Sequence, residues 1–294
     1  MQKQSPRRSS AKPAGVKVVE RNKTDAAHSS LERMLALLDL FTISAPVRPV
    51  TELVNYLGTS RSTSYRYIKA LHGAGLLEAV ANGRYVLGPR IMELDRQLRM
   101  TNPLYQGAGP ILRELVQSTG HSALLCALNQ DSVMCIREDL TGASPPVLFS
   151  RGQRQPLLFG AGAKVILPYV PSHRLIRIFE QHNRDIAKAG LGTDWQGFKQ
   201  HLAAIRRDGY CATYGEVNPG VFGVAAPVFN GDDLVVGSIL IAGAAERPGG
   251  KDLRNYGQVT VAAAKRLTQF LARDHNDRVH PPRAFGSPSA RARG

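Results

Sequence analysis

Cysteine, tryptophan and long apolar runs are scarce in this chain of 294 residues, which contains three cysteines and one tryptophan. Cys126, Cys135 and Cys211 form no C-x-x-C pair, and their odd number argues against a secreted disulfide framework, so we expect buried, reduced thiols. The longest nearly uncharged stretches are shorter than the roughly 20 residues that a membrane-spanning helix needs. The N-terminus has no apolar segment that would serve as a secretory signal. These absences favour a cytoplasmic protein with no membrane partner.

The motifs of common enzymes are also missing. The chain contains no G-x-S-x-G, no H-E-x-x-H, no suitably placed dinucleotide G-x-G-x-x-G and no convincing metal spacing, so we expect no enzymatic activity, no cofactor and no metal site. Lys164 lies between Ala163 and Val165, which departs from the Gly-Lys-Ser/Thr of a phosphate-binding loop. His173 and His182 are interpreted as ordinary surface or core residues. A small-molecule hydrolase of unknown type stays the weaker alternative.

Acidic residues are outnumbered, since 38 Lys and Arg against 23 Asp and Glu give a formal net charge of +15. Such an excess is typical of proteins that neutralise phosphates, and the N-terminal third is the more strongly basic part. Residues 1–28 have little apolar content, which predicts a disordered basic arm. The arm either contacts DNA phosphates or only keeps the protein soluble. Residues 274–294, with several prolines and arginines, are predicted to form a second disordered tail.

Residues 29–90 have the pattern of a winged helix-turn-helix. Ser29 or Ser30 could cap a first helix over 31–42, a second helix spans about 50–58 with Thr51 as its N-cap, and a third begins near Thr59. Asn82-Gly83 predicts a two-stranded hairpin. In this plan the third helix enters the major groove of DNA and the hairpin forms the wing. The first helix is expected to place five apolar side chains on one face: Leu31, Met34, Leu35, Leu38 and Phe41.

A helical linker is predicted over residues 91–109, because Pro103 and the segment 107–110 should break the helix. A second domain is predicted over 110–273. There, apolar strand-like runs alternate with helical runs near 161–169, 172–189, 194–208 and 251–273. This alternation predicts an α+β domain with a mostly antiparallel sheet. The strand-like runs are SALLCALN, SVMCIRED, PVLFS, GVAAPVFN and LVVGSILIAGA.

With these segments the chain resembles the IclR family of transcriptional regulators. The N-terminal resemblance lies in LERMLALLDLF, TELVNYLGTSRSTSYRYIKALHGAGLLE and GRYVLGPRIMEL. The C-terminal resemblance lies in QPLLFGAGAKVIL, LAAIRRDGYCATYGEVNPGVFGVAAPVFN and VVGSILIAGAAER. The resemblance implies a GAF-like effector-binding domain, a homodimer that can pair into a dimer of dimers, and control of a catabolic operon through a palindromic operator. In a rival interpretation, the C-terminal domain serves only oligomerisation.

The predicted DNA contacts lie on the third helix and the wing. Arg66 is the leading base or phosphate contact, although on an isolated helix such an arginine would simply be solvated. Thr59 and Ser60 are interpreted as an N-cap pair whose hydroxyls can also reach phosphate. Arg84 is expected to meet phosphate or the minor groove. The full predicted set is Thr59, Ser60, Arg61, Ser62, Thr63, Tyr65, Arg66 and Arg84.

Similarity to the family places the effector between the sheet and the helix that begins near Gly160. Either the backbone amides of Ala161 and Gly162 receive a carboxylate, or this glycine-rich turn only permits close packing. Family members that sense small polar keto or hydroxy acids surround the ligand with an Asp, a Cys and two Ser. The departures from that set predict a larger, partly apolar effector, such as an aromatic or alicyclic carboxylate or its thioester. The corresponding positions here are Thr213, Gly223, Leu240 and Ala242.

Overall fold

A computed structural model describes residues 29–141, 149–244 and 249–279, with side chains described up to His275 in the last range. The chain divides into two compact units between Asn102 and Pro103. The predicted arm over 1–28 and most of the predicted tail lie outside the described residues. Residues 274–279, however, continue the last helix, so the prediction of a tail from residue 274 is wrong there. His275 packs beside Gly231 and lies 3.6 Å from the Asp232 carboxylate, which supports these turns.

The first unit is a winged helix-turn-helix, as predicted. Its wing is an antiparallel sheet in the order β1-β3-β2, so a short strand beside the hairpin adds to the two that the sequence pattern predicted. A 3-10 turn at Leu37–Leu40 follows the first helix. The elements are α1 (Ser30–Ala36), β1 (Arg48–Pro49), α2 (Val50–Leu57), α3 (Arg61–Gly73), β2 (Leu77–Val80), β3 (Arg84–Leu87) and α4 (Arg90–Thr101).

Local sequence explains where these elements begin and end. Ser29 caps α1 in a capping box with Glu32. The hairpin turns at Asn82 and Gly83, whose φ angles of 61° and 65° are left-handed, as the Asn-Gly pair predicts. Thr51 is not the N-cap of α2, because Pro49 holds that position with its extended backbone.

The predicted apolar face of the first helix is only partly correct. Phe41 is buried, but Leu31 and Leu35 are 67% and 50% exposed, and Leu37 enters the core instead. The change from α to 3-10 geometry after Ala36 explains the difference, because each residue then turns by about 120° rather than about 100°. The core of the unit comprises Leu37, Phe41, Leu53, Leu57, Ile68, Leu71 and Leu77.

The second unit is built on one six-stranded sheet. The strands are antiparallel in the order β6-β5-β4-β9-β8-β7, which confirms the predicted α+β domain with a mostly antiparallel sheet. Within the described ranges, no helix is long and apolar enough to cross a membrane. The elements are α5 (Pro103–Thr119), β4 (Ser122–Asn129), β5 (Ser132–Asp139), β6 (Arg154–Pro156), α6 (Ala161–Lys164), α7 (Ser172–Lys188), α8 (Trp195–Asp208), β7 (Cys211–Tyr214), β8 (Val221–Phe229), β9 (Val235–Ala244) and α9 (Gly250–Val279).

The predicted break at Pro103 and 107–110 is wrong, because α5 runs through this segment. Pro103 is the first residue of the helix, where a missing N–H costs nothing. Gly109 permits close packing, since a Cβ there would lie 2.6 Å from a guanidinium nitrogen of Arg137. The segment predicted as a linker is therefore α4 followed by the first turns of α5. Residues 149–150 form no strand, and the rest of PVLFS lies outside the described residues.

Both faces of the sheet are buried, and strand register decides which side chains lie on each. Side chains alternate along every strand, so aligned residues of neighbouring strands share a face. One aligned row crosses β7, β8, β9 and β4 as Thr213, Gly223, Ala242 and Ser122. A second row on the same face, toward α6, comprises Cys211, Ala225, Leu240 and Leu124. The opposite face packs against α5 and α9 through Leu125, Val224, Ile239 and Ile241.

We expect Leu125→Ala to lower the free energy of unfolding by about 2–5 kcal/mol, because truncation of a fully buried leucine leaves a cavity between the sheet and its helices. The matched control is Leu234→Ala, since Leu234 is 63% exposed. It should change stability by less than about 0.5 kcal/mol. Urea unfolding followed by circular dichroism compares the two, and equal losses would contradict this assignment of the core.

Candidate functional site

Helix α3 presents most of the predicted DNA contacts on its exposed side. Ser64, Ile68 and Leu71 are buried. The sequence of α3 contains basic residues and no acidic one, so its accessible surface is cationic. Two of the predicted contacts, Thr59 and Thr63, are half-buried. The exposed ones are Ser60, Arg61, Ser62, Tyr65, Arg66 and Arg84.

The N-terminus of α3 carries a chain of hydroxyl groups. Ser60 is the N-cap, and its Oγ accepts a hydrogen bond from the Thr63 backbone N–H. The Ser60 hydroxyl donates to Thr63 Oγ1 at 3.0 Å, and Ser60 Oγ lies 3.1 Å from Ser62 Oγ. The predicted N-cap pair is half right, because Thr59 instead hydrogen-bonds the buried Ser64 hydroxyl at 2.9 Å. A helix N-terminus lined with hydroxyls is chemically suited to a phosphate.

The cations of this surface come from two elements. Arg66 lies beside the ring of Tyr67, with its guanidinium carbon 5.9 Å from the ring centroid. Lys69, which the sequence analysis did not single out, is exposed three residues after Arg66, and residues at that spacing are neighbours on a helix. Arg84 begins β3 directly after the Asn82-Gly83 turn, opposite Val80. The structure thus places Arg84 at the tip of the wing.

A cavity in the second unit is lined by all six residues predicted to bind an effector. Ala161 and Gly162 come from α6, Thr213 from β7, Gly223 from β8, and Leu240 and Ala242 from β9. The inner space of the cavity has a volume of about 50 Å³. That inner space accommodates only a few waters, so a larger ligand requires wall side chains to move.

Sequence reasoning missed several other residues of the cavity wall. Gln155 extends from β6, a strand that was not predicted, and Glu216 and Asn218 lie in the loop after β7. This loop lies within a segment that carries the family resemblance, but nothing in the sequence assigned its side chains to the cavity, because their proximity to α6 depends on strand order. Further apolar lining comes from Leu124, Val133, Phe149, Val217 and Val221.

Carboxylate binding at the start of α6 requires backbone N–H groups that have no acceptor within the protein. Not all of the amides there meet this requirement. Ala161 N–H donates to Thr213 Oγ1 at 3.1 Å, and the preceding Gly160 N–H donates to Glu216 Oε2 at 3.0 Å. The Ala161 amide therefore already has a side-chain acceptor. Gly162 N–H has no hydrogen-bond partner among the described residues.

A buried ion pair lies next to these amides. Lys164 Nζ is 2.6 Å from Glu216 Oε1 and donates to the Ala189 carbonyl oxygen at 2.5 Å. The Lys164 side chain is 5% exposed and that of Glu216 25%. The pair therefore links α6 to the loop after β7 and to the end of α7.

The cysteines are free and buried, as predicted. Burial raises the pKa of the Cys126 and Cys211 thiols to about 12, and it also raises the pKa of Cys135. All three therefore remain protonated near neutral pH and are poor nucleophiles. In the part of the chain that the structure describes, no three His, Cys, Asp or Glu side chains form a group that could hold a metal ion.

Comparison with known proteins identifies both units. Residues 30–81 match the IclR helix-turn-helix domain, and residues 99–269 match the model of the bacterial transcriptional regulator IclR C-terminal domain. The chain is 27% identical over 244 residues to the HTH-type transcriptional regulator XynR of Escherichia coli, covering 82% of this chain and 96% of that protein.

Solved structures share the fold. An IclR transcriptional regulator from Alicyclobacillus acidocaldarius is 23% identical, with a TM-score of 0.69 over 82% of this chain and 98% of that one. An IclR homolog from Microbacterium hydrocarbonoxydans, solved with 4-hydroxybenzoate, is 20% identical, with a TM-score of 0.67 over 83% of this chain and 100% of that one. The two family models together span most of the chain, and they are models of DNA-binding regulators rather than of enzymes. The chain belongs to the IclR family of bacterial transcriptional regulators.

Proposed function

We propose that the protein binds an operator through α3 and the wing, and that a small molecule in the cavity of the second unit modulates this binding. The DNA interaction is supported by the exposed surface of α3, where Arg61, Arg66 and Lys69 have no acidic neighbour on the helix. Because the proposed partner is chromosomal DNA, we place the protein in the cytoplasm. We further propose that the regulated operon encodes catabolism of the effector.

The effector that we propose has a partly apolar body. Leu124, Val133, Phe149 and Leu240 supply apolar wall, whereas the polar groups are few. Sites of this composition bind small molecules mainly through shape, with polar groups fixing the orientation. The structure of the Microbacterium homolog with 4-hydroxybenzoate supports a ligand of similar size for this chain. The residues that we propose to contact it are Ala161, Gly162, Thr213, Gly223, Leu240 and Ala242.

We also propose a homodimer that reads a palindromic operator through α3 of each subunit. Helix α4 supports it, because none of its residues is buried in the single chain. Leu94 and Leu98 are 41% and 51% exposed, and together with the half-buried Ile91 they form a stripe at helical spacing. Such a stripe favours burial against a second copy of the same helix.

Arg66→Ala should weaken binding to the preferred DNA by about 10- to 100-fold, because a bidentate arginine contact discriminates bases by roughly 1–3 kcal/mol. The probe is the duplex that the full-length protein selects from a random pool, compared with an unselected duplex in a gel shift. Lys69→Ala is the contrasting variant, which we expect to weaken both duplexes alike. Arg177→Ala, which removes an exposed charge from the other unit, is the control. Unchanged affinity of Arg66→Ala for the selected duplex would refute its role.

Gly223→Leu should block the cavity without unfolding the sheet. A Cβ at Gly223 would lie 3.5 Å from the Ala161 Cβ and 3.7 Å from Thr213 Oγ1, which are ordinary contact distances, and the longer leucine would then occupy the cavity. Saturation-transfer NMR with benzamide and benzyl alcohol should detect binding to the wild type and none to the variant. Gly250→Leu is the matched control, because among the described residues no atom beyond its chain neighbours and its own helix backbone lies within 4 Å of a Cβ there. Equal signals from both variants would place the ligand elsewhere, and no signal from the wild type would favour the oligomerisation-only alternative.

Leu98→Glu should convert the dimer to a monomer, because a carboxylate in the centre of an apolar interface loses its hydration. Gln97→Glu places the same new side chain at an exposed neighbouring position and should leave the dimer intact. Sedimentation velocity measures both. A Leu98→Glu protein that sediments like the wild type would show that α4 is not the dimer contact.

A further inference from the structure

The start of α6 already carries an anion that belongs to the protein. Glu216 Oε2 accepts the Gly160 N–H, and Thr213 Oγ1 accepts the Ala161 N–H. These two amides are the groups that would otherwise attract a ligand carboxylate. A carboxylate effector would therefore have to displace the Glu216 side chain or stand beside it.

The positive partner of Glu216 lies behind it rather than in the cavity. Lys164 Nζ contacts Glu216 Oε1 at 2.6 Å and the Ala189 carbonyl oxygen at 2.5 Å, and Lys164 is 4% exposed. Lys164 does not line the cavity, and among the described lining residues there is no Lys, Arg or His. A carboxylate on the ligand would thus face the charge of Glu216 without any cation of its own.

A positive charge on the ligand would not strengthen binding either, because the negative charge that could attract it already has a partner. The Glu216 carboxylate already accepts from Lys164 and from the Gly160 amide, so its charge is paired before a ligand arrives. A ligand ammonium would have to compete with a buried lysine whose other contact is a carbonyl oxygen, and separation of that pair would leave Lys164 buried without a counter-charge. Neither sign of ligand charge is favoured.

The unused polar groups of the cavity suit an uncharged ligand. Gly162 N–H has no partner among the described residues, and the Thr213 hydroxyl, which accepts from Ala161, keeps its own proton available for donation. Both are donors for a carbonyl or hydroxyl oxygen, and Gln155 adds an amide at the wall. We propose that the effector is an uncharged molecule with an apolar ring and a carbonyl, amide or hydroxyl group, and that Glu216 determines this preference. This inference rests on the proposed sensing function.

Four probes that share one ring test the preference: benzamide, benzyl alcohol, benzoate and benzylamine. Ligand-observed NMR titrations of the full-length protein at neutral pH should give dissociation constants at least about tenfold lower for the two neutral probes than for the two charged ones. In Glu216→Gln the disadvantage of benzoate should shrink. Because that variant leaves Lys164 without its counter-charge, the double variant Lys164→Met with Glu216→Gln provides the second measurement, with the same expectation.

The outcomes separate the two proposals. If benzoate binds the wild type more tightly than benzamide, or if removal of the ion pair leaves the ratio unchanged, the charge preference is refuted and sensing stands. If no probe binds the wild type, and the ligand spectra with the wild type match those with Gly223→Leu, sensing in this cavity is refuted. The inference about ligand charge is then refuted as well.

Discussion

Burial of the central sheet on both faces is the constraint on which the second unit depends. Each strand must supply apolar side chains in two directions, and α5 and α9 cover one face while α6, α7 and α8 cover the other. The short helix α6 is held against the sheet by the Ser238 hydroxyl, which donates to the Gly162 carbonyl oxygen at 2.7 Å. The cavity forms where small residues, Gly223 and Ala242, leave this second layer incompletely filled.

The ion pair of Lys164 and Glu216 fixes the positions of neighbouring segments more than it stabilises the folded state. A buried pair contributes little net stability, because loss of hydration offsets the attraction between its charges. Its geometry, however, joins α6, the loop after β7 and the C-terminal end of α7 through the Ala189 carbonyl. The polarity of the cavity and the packing of α7 thus depend on the same two side chains. A ligand that disturbs Glu216 also disturbs the contact at α7.

Sequence patterns predicted those features that arise from neighbouring residues. The Asn82-Gly83 turn and the main strands of the sheet follow from local periodicity and turn chemistry. The family resemblance identified six residues that line one cavity. Glu216 and Gln155 could not be predicted, because their places depend on strand order and on a three-residue strand without a clear pattern. The helix over 103–110 could not be predicted either, because its glycines allow close packing against Arg137 and Phe270, which lie far away in the sequence.

A substitution at Gly223 can reduce the size of the cavity without disrupting the fold. It lies within a strand without a left-handed backbone, and the atoms nearest to an added Cβ are at ordinary contact distances, so larger residues fit the backbone there. Each added carbon would take volume from the cavity rather than from the core. A substitution at this one position would therefore change the shape of the cavity while the register of the sheet and the packing of its other face stay as they are.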